Sequence, residues 1–144
     1  MKNKHTVVDL FAGVGGLSLG FKENDFDLVF ANDIDEDASK TFTYNHPKTK
    51  FFLGDVKELT ENKIKRLIGN TKVDVLVGGV PCQSFSMVGY RTTKKEANLD
   101  DPRHYLFREF IRVAKILNPK IIIIENVKAI LSSHKGKIKD EIIS

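Results

Sequence analysis

"HTVVDLFAGVGGLSLGF", His5 to Phe21, decides how the rest of the chain is read. Its first part, His5–Phe11, is an apolar, β-branched run that reads as a buried strand. Gly13, Gly15 and Gly16 follow before a helical pattern sets in. Glycines between a strand and a helix let the backbone turn tightly and bring amide N–H groups close to a ligand. A tight turn with no ligand needs the same glycines, so this pattern alone identifies none.

Working outward, the same alternation repeats. "DLVFAND" (Asp27–Asp33) reads as a second strand, "KFFLGDV" (Lys50–Val56) as a short third, "VDVLVGG" (Val73–Gly79) as a fourth and "PKIIIIENV" (Pro119–Val127) as a fifth. Near-continuous apolar strands belong to parallel sheets covered on both faces. Helices fit the gaps at 36–45, behind an acidic first turn, and at 58–69, closed by Gly69. A third is expected at 102–118, where Leu106, Phe107, Phe110, Ile111, Ala114 and Leu117 form one stripe. Strand–helix alternation means an open α/β sheet with right-handed crossovers. The polar stretch 86–101 has no period and is long for a loop, which favours a functional role.

Ligands of open α/β sheets bind outside the carboxyl ends of the strands. The second strand ends at Asp33 and the third at Asp55. One carboxylate there can accept the hydroxyls of a ribose, and the other the amino group of an adenine. No second phosphate-gripping glycine pattern is present, so an adenosine ligand without phosphates fits. S-adenosylmethionine is one, its carboxylate suited to the helix amides near Gly13. Spacing alone leaves that ligand and an NAD-type one both open.

Cys82, the only cysteine, follows directly on the fourth strand. A lone cysteine is usually a small buried hydrophobe. Here Pro81 fixes the backbone before it, and polar Gln83, Ser84 and Ser86 follow at once, so the thiol is expected at the ligand rim. A thiolate there is a nucleophile. No histidine lies near it in sequence, which suggests attack on a carbon made electrophilic by other means. The fifth strand offers a means: it is apolar until Glu125, which emerges at the same rim. A carboxyl against an apolar wall tends to keep its proton and can donate it to a ring nitrogen. A charge at a helix N-terminus is the plainer reading of Glu125, and Asn126 is expected to fix the turn.

Composition sets the outer bounds. With 144 residues the chain suits one domain, and its 41% hydrophobic and 29% charged residues are ordinary for a globular protein. One cysteine cannot make an internal disulfide and leaves a structural zinc site short of thiolates, so no metal is expected. The N-terminus lacks a signal-like apolar stretch and the longest apolar run is far too short to cross a bilayer, which makes a cytoplasmic setting the default and a membrane partner unexpected. The net charge of +4 is too small to announce nucleic acid. It arises wholly in 112–144, with 7 basic against 3 acidic residues, since 1–111 carry 16 of each.

Together, "DLFAGVGGLSLGF", "GDV", "GGVPCQSFS", "DPRHYLFREF" and "ENV" resemble, in order and spacing, the DNA cytosine-5 methyltransferases, and the likeness runs along the chain. That resemblance implies a Rossmann-like S-adenosylmethionine-dependent fold, a parallel sheet with helices on both faces, lacking its C-terminal strands. It implies that Cys82 adds to C6 of a flipped-out cytosine in double-stranded DNA while Glu125 holds N3, so that C5 takes the methyl group. It assigns cofactor contacts to Phe11, Gly13, Gly15, Asp33, Ile34 (against the adenine), Asp55, Val56, Pro81 and Leu106. It assigns Gln83, Ser84, Ser86, Arg103 and Asn126 to the substrate side, with 86–103 matching a loop that closes on DNA, as extrusion of a base requires. His104 and Tyr105 depart from the glycine and small residue many members carry there.

The chain ends soon after "ENV", before the later arginine motif, the target-recognition region and a closing C-terminal helix. A doubly wound order would leave the fifth strand, with its isoleucines, at an exposed edge, which native proteins avoid. The expectation is therefore the incomplete catalytic portion, 1–144, of a restriction-modification enzyme: a fragment, or one subunit whose partner chain brings the rest. A non-catalytic scaffold subunit and a tRNA methyltransferase are the alternatives.

Overall fold

The computed structural model describes residues 4–81 and 106–126. Five strands form one parallel sheet: β1 (Thr6–Leu10), β2 (Asp27–Asp33), β3 (Lys50–Leu53), β4 (Val75–Gly79) and β5 (Ile121–Glu125). Their spatial order is β3-β2-β1-β4-β5. Among the described residues the helices are α1 (Gly16–Glu23), α2 (Glu36–Asn45), α3 (Glu61–Ile68) and α4 (Leu106–Leu117), with a 3-10 helix at Val56–Glu58. The chain reverses its direction of winding at β1, so the crevice between β1 and β4 is the topological switch point where such sheets bind ligands. No described helix is long and apolar enough to cross a membrane.

Side chains alternate between the two faces of the strands, except in β2, where a register shift against β1 between Leu28 and Phe30 sends these two to opposite faces. Val8, Leu10, Phe30 and Leu76 pack on one face with Ile64 of α3 and with Phe107, Phe110, Val113 and Leu117 of α4. Val7, Leu28, Val75 and Val77 take the other face, with Phe21 of α1 and Phe26 beside them. Gly78 lets α4 lie close: a Cβ there would fall 2.5 Å from Leu10 O and 2.8 Å from a Phe110 ring carbon.

Strand β2 and helix α2 have the bounds their sequence predicts, and Asp35 caps α2 by accepting from Ala38 N at 2.8 Å. Strand β3, helix α3 and strand β4 are shorter, each for a local reason, while 102–105 and 127, expected in the last helix and strand, lie outside the described residues. Strand β3 stops at Leu53 because Asp55 turns the chain, its Oδ1 accepting from Lys57 N to start the 3-10 helix. Residues 58–60 therefore precede α3, which begins behind the Thr60 cap. Strand β4 starts at Val75 because Asp74 serves as a clamp instead. Asp74 takes Lys120 Nζ at 2.6 Å on one oxygen and Thr6 N at 3.0 Å on the other, tying β1, β4 and β5 at their amino ends. Among the described residues β5 is the sheet edge, as expected, with Ile121, Ile122 and Ile123 all exposed.

Candidate functional site

The carboxyl ends of the strands meet the turns that follow them around one cavity of about 450 Å³, a size that suits a small organic ligand. Phe11 lines it from the end of β1; Asn32, Asp33 and Ile34 line it from β2. Gly54, Asp55, Val56 and Lys57 contribute from the turn after β3, Gly79 and Pro81 from β4, and Leu106 from the first turn of α4. Seven residues expected at a cofactor (Phe11, Asp33, Ile34, Asp55, Val56, Pro81 and Leu106) are thus brought together. Asn32, Gly54, Lys57 and Gly79 were not anticipated.

The glycine turn forms the rim beside this cavity. Phe11 has a left-handed backbone at φ 56°, uncommon for a residue with a side chain and costly enough to need a reason. Gly13 follows at φ 53°, with nothing within 4 Å of where a Cβ would stand, so the loop surface is open there. Its amide donates to Asp33 Oδ2 at 2.7 Å, and Asp33 Oδ1 accepts from Asp35 N at 2.9 Å. Asp33 thereby joins the β1–α1 turn to the β2–α2 turn; each oxygen retains a further acceptor site.

Gly15 is set apart from Gly13 by its packing. At φ 92° it packs inward, where a Cβ would stand 2.8 Å from His46 Nε2 and 2.9 Å from the Phe42 ring. Its amide is bonded to Ala12 O, and neither Gly13 nor Gly15 lines the cavity. Beneath the turn lies Asp9, fully buried on β1, with Ser18 Oγ donating to its Oδ2 at 2.6 Å and no partner for Oδ1. Burial raises this carboxyl from 3.8 to about 6; the Ser18 bond opposes the rise and the nearby Asp33 charge adds to it.

On the other side of the switch point, Glu125 pairs in register with Gly79. A Cβ on Gly79 would stand 3.3 Å from Glu125 Oε2, so the carboxyl lies over a glycine of the cavity wall. Asn126 Nδ2 donates to Val80 O at 3.0 Å, tying the end of β5 to the turn that leads into Pro81. The apolar wall expected around Glu125 is not found among the described residues: Glu125 is exposed, and so are three isoleucines before it. Cys82, Gln83, Ser84, Ser86 and Arg103 lie outside the described residues; Pro81, bonded to Cys82, is in the wall.

This arrangement fits the adenosine part of S-adenosylmethionine. Two carboxylates stand at neighbouring strand ends in one cavity, and Ile34, 70% exposed, offers an apolar face with nothing yet covering it. Sequence spacing could have found Asn32, which is polar within an apolar strand beside Asp33. Gly79 carries no such signal, since only the pairing of β4 with β5 sets it under Glu125.

Comparisons with known proteins agree. The model of the C-5 cytosine-specific DNA methylase family matches residues 5–144. The chain is similar to the type II methyltransferase M1.HphI of Haemophilus parahaemolyticus, 39% identical over 95% of this chain and 36% of that one. It is similar to M.Eco47II of Escherichia coli, 40% identical over 97% of this chain and 31% of that one. A crystal structure of a candidate DNA modification methyltransferase encoded within an E. coli prophage superposes with a TM-score of 0.81 at 34% identity, covering 97% of this chain and 37% of that one. The chain spans about a third of the length of these relatives. S-adenosylmethionine is the cofactor of this family. The chain belongs to the C-5 cytosine-specific DNA methylase family.

Proposed function

We propose that this chain carries the cofactor-binding and catalytic half of a DNA cytosine-5 methyltransferase that acts in the cytoplasm within a restriction-modification system. The observation that carries the proposal is the shared wall: Pro81, one bond before Cys82, and Gly79, under Glu125, line the same cavity as Asp33 and Asp55.

Asp33 and Asp55 would hold the ribose and adenine of S-adenosylmethionine, with Ile34 and Phe11 against its apolar surfaces and the Gly13 turn near its charged tail. When bound, S-adenosylmethionine supplies a methyl group made electrophilic by the sulfonium. Cys82 adds as thiolate to C6 of an extruded cytosine, forming an S–C bond and pushing the ring electrons toward C5. Glu125 bonds N3 and stabilises that electron shift. After C5 is methylated, its proton leaves to a base and the S–C bond breaks, restoring the ring and the thiolate. Gln83, Ser84, Ser86 and Arg103 belong to the segment that meets the DNA.

Full turnover needs segments from outside these 144 residues, on the same polypeptide or a second one. The threefold greater length of the relatives and the exposed isoleucines of the β5 edge support this. Alone, the chain is expected to bind the cofactor weakly and to methylate little. The test is covalent trapping on DNA containing 5-fluorocytosine, after complementation with the rest of a related enzyme. A denaturation-resistant adduct is expected, absent from Cys82→Ser; an adduct persisting in that variant removes Cys82 from its role.

A further inference from the structure

The turn that carries Asp55 is gripped by a side chain that the chemistry above does not use. Arg112 of α4 donates from Nη1 to Leu59 O at 2.8 Å and from Nη2 to Val56 O at 3.0 Å. Its Nε donates to Glu109 Oε2 at 2.7 Å, which holds the guanidinium plane in place. Three donors in one rigid fork are a feature of arginine that lysine cannot reproduce. The two carbonyls bracket the 3-10 helix, and the N-cap of that helix is Asp55. From the opposite side, Asn32 Nδ2 donates to Phe52 O at 2.9 Å and Gly54 O at 2.8 Å. Asp55 therefore sits on a turn held by β2 at one end and by α4 at the other.

Attachment of this turn does not depend on Arg112. Val56 and Leu59 are already buried in the main core, 3% and 0% exposed, so the turn stays docked without the guanidinium. What Arg112 adds is direction: it fixes where two carbonyls point, and hence the tilt of the Asp55 carboxylate at the cavity wall. We infer that Arg112 is a positioning residue that aims Asp55 at the exocyclic amino group of the adenine, and so sets selectivity for adenine at that edge of the cavity. The inference rests on the cofactor reading above.

The experiment compares S-adenosylhomocysteine with S-inosylhomocysteine, in which a ring carbonyl replaces the amino group. Affinities are read by NMR titration for the 144-residue chain, Arg112→Gln, Arg112→Lys and Asp55→Asn. The wild type is expected to prefer the adenine ligand by about tenfold, the worth of one hydrogen bond to a charged group. In Arg112→Gln that ratio falls to about threefold or less, with affinity for the inosine ligand unchanged; Arg112→Lys lies between. General loosening of the fold weakens both ligands equally, so an unchanged ratio overturns the role of Arg112 while leaving the cofactor reading intact. A wild type that binds neither ligand, or a ratio insensitive to Asp55→Asn, overturns the cofactor reading itself and this inference with it. Should Arg112→Gln not fold, Arg112→Lys carries the same test.

Discussion

Asp9 is the one carboxylate that the described residues bury completely, and its environment makes a sharp prediction for Asp9→Asn. Burial raises its pKa from 3.8 to about 6. The folded state therefore holds a proton that the unfolded chain has released anywhere between those values. The stability this confers is fully present below 3.8 and is lost as pH rises through about 6. The interval corresponds to roughly 3 kcal/mol, an order-of-magnitude figure. Asn cannot ionise, so Asp9→Asn lacks this dependence. His46 acts in the opposite sense nearby: burial, then the Lys22 charge, lowers its pKa, so it favours the folded state as pH rises toward 6.5. That contribution is common to both proteins and cancels in their difference. Urea unfolding followed by circular dichroism from pH 3.5 to 7.5 supplies the measurement. Wild-type stability minus variant stability should fall by about 3 kcal/mol across the range. A difference that stays flat, or rises with pH, refutes the claim that Asp9 is charged at a cost beneath the glycine turn.

Two further perturbations probe the frame. Gly78→Ala places a methyl group against Leu10 O and the Phe110 ring, and should destabilise by about 2–3 kcal/mol, whereas Gly16→Ala, facing open space, should be neutral or better; thermal unfolding separates them. Asp74→Asn should remove an acid-sensitive contribution: Lys120, then Thr6, holds that carboxyl well below its usual range. Wild-type stability from Asp74 is present above 3.8 and declines as pH falls below it, so the wild type and the variant should converge in acid and separate toward neutrality in urea melts.

Much of the fold was legible because its strands are apolar runs closed by charged or glycine residues. Asp27–Asp33 needed nothing more than that. The pattern overran where a polar side chain redirects the backbone: Asp55 reads as the end of a strand and is in fact a helix cap. The cavity wall was legible where a side chain stands at the end of its strand or in the turn just after it, as with Asp33 and Asp55. It was illegible where an arrangement depends on register between strands or on distant bonds. Gly79 meets Glu125 only because β4 neighbours β5. Arg112 reaches carbonyls 53 and 56 residues away, from a helix whose periodicity reports only its buried stripe. Gly15 illustrates a third limit, since a ligand-facing glycine and one crowded by Phe42 and His46 look alike in sequence.

The proposed chemistry requires a methyl donor at the carboxyl ends of these strands. Titrating S-adenosylhomocysteine into the ¹⁵N-labelled chain tests that directly. The largest amide shifts should fall on Phe11, Gly13, Ile34, Asp55 and Lys57, with Thr6, Asp74 and Lys120 at the amino ends unmoved. Shifts centred instead on Lys22, Lys48 and Thr49, around the smaller cavity that His46 lines, would contradict it.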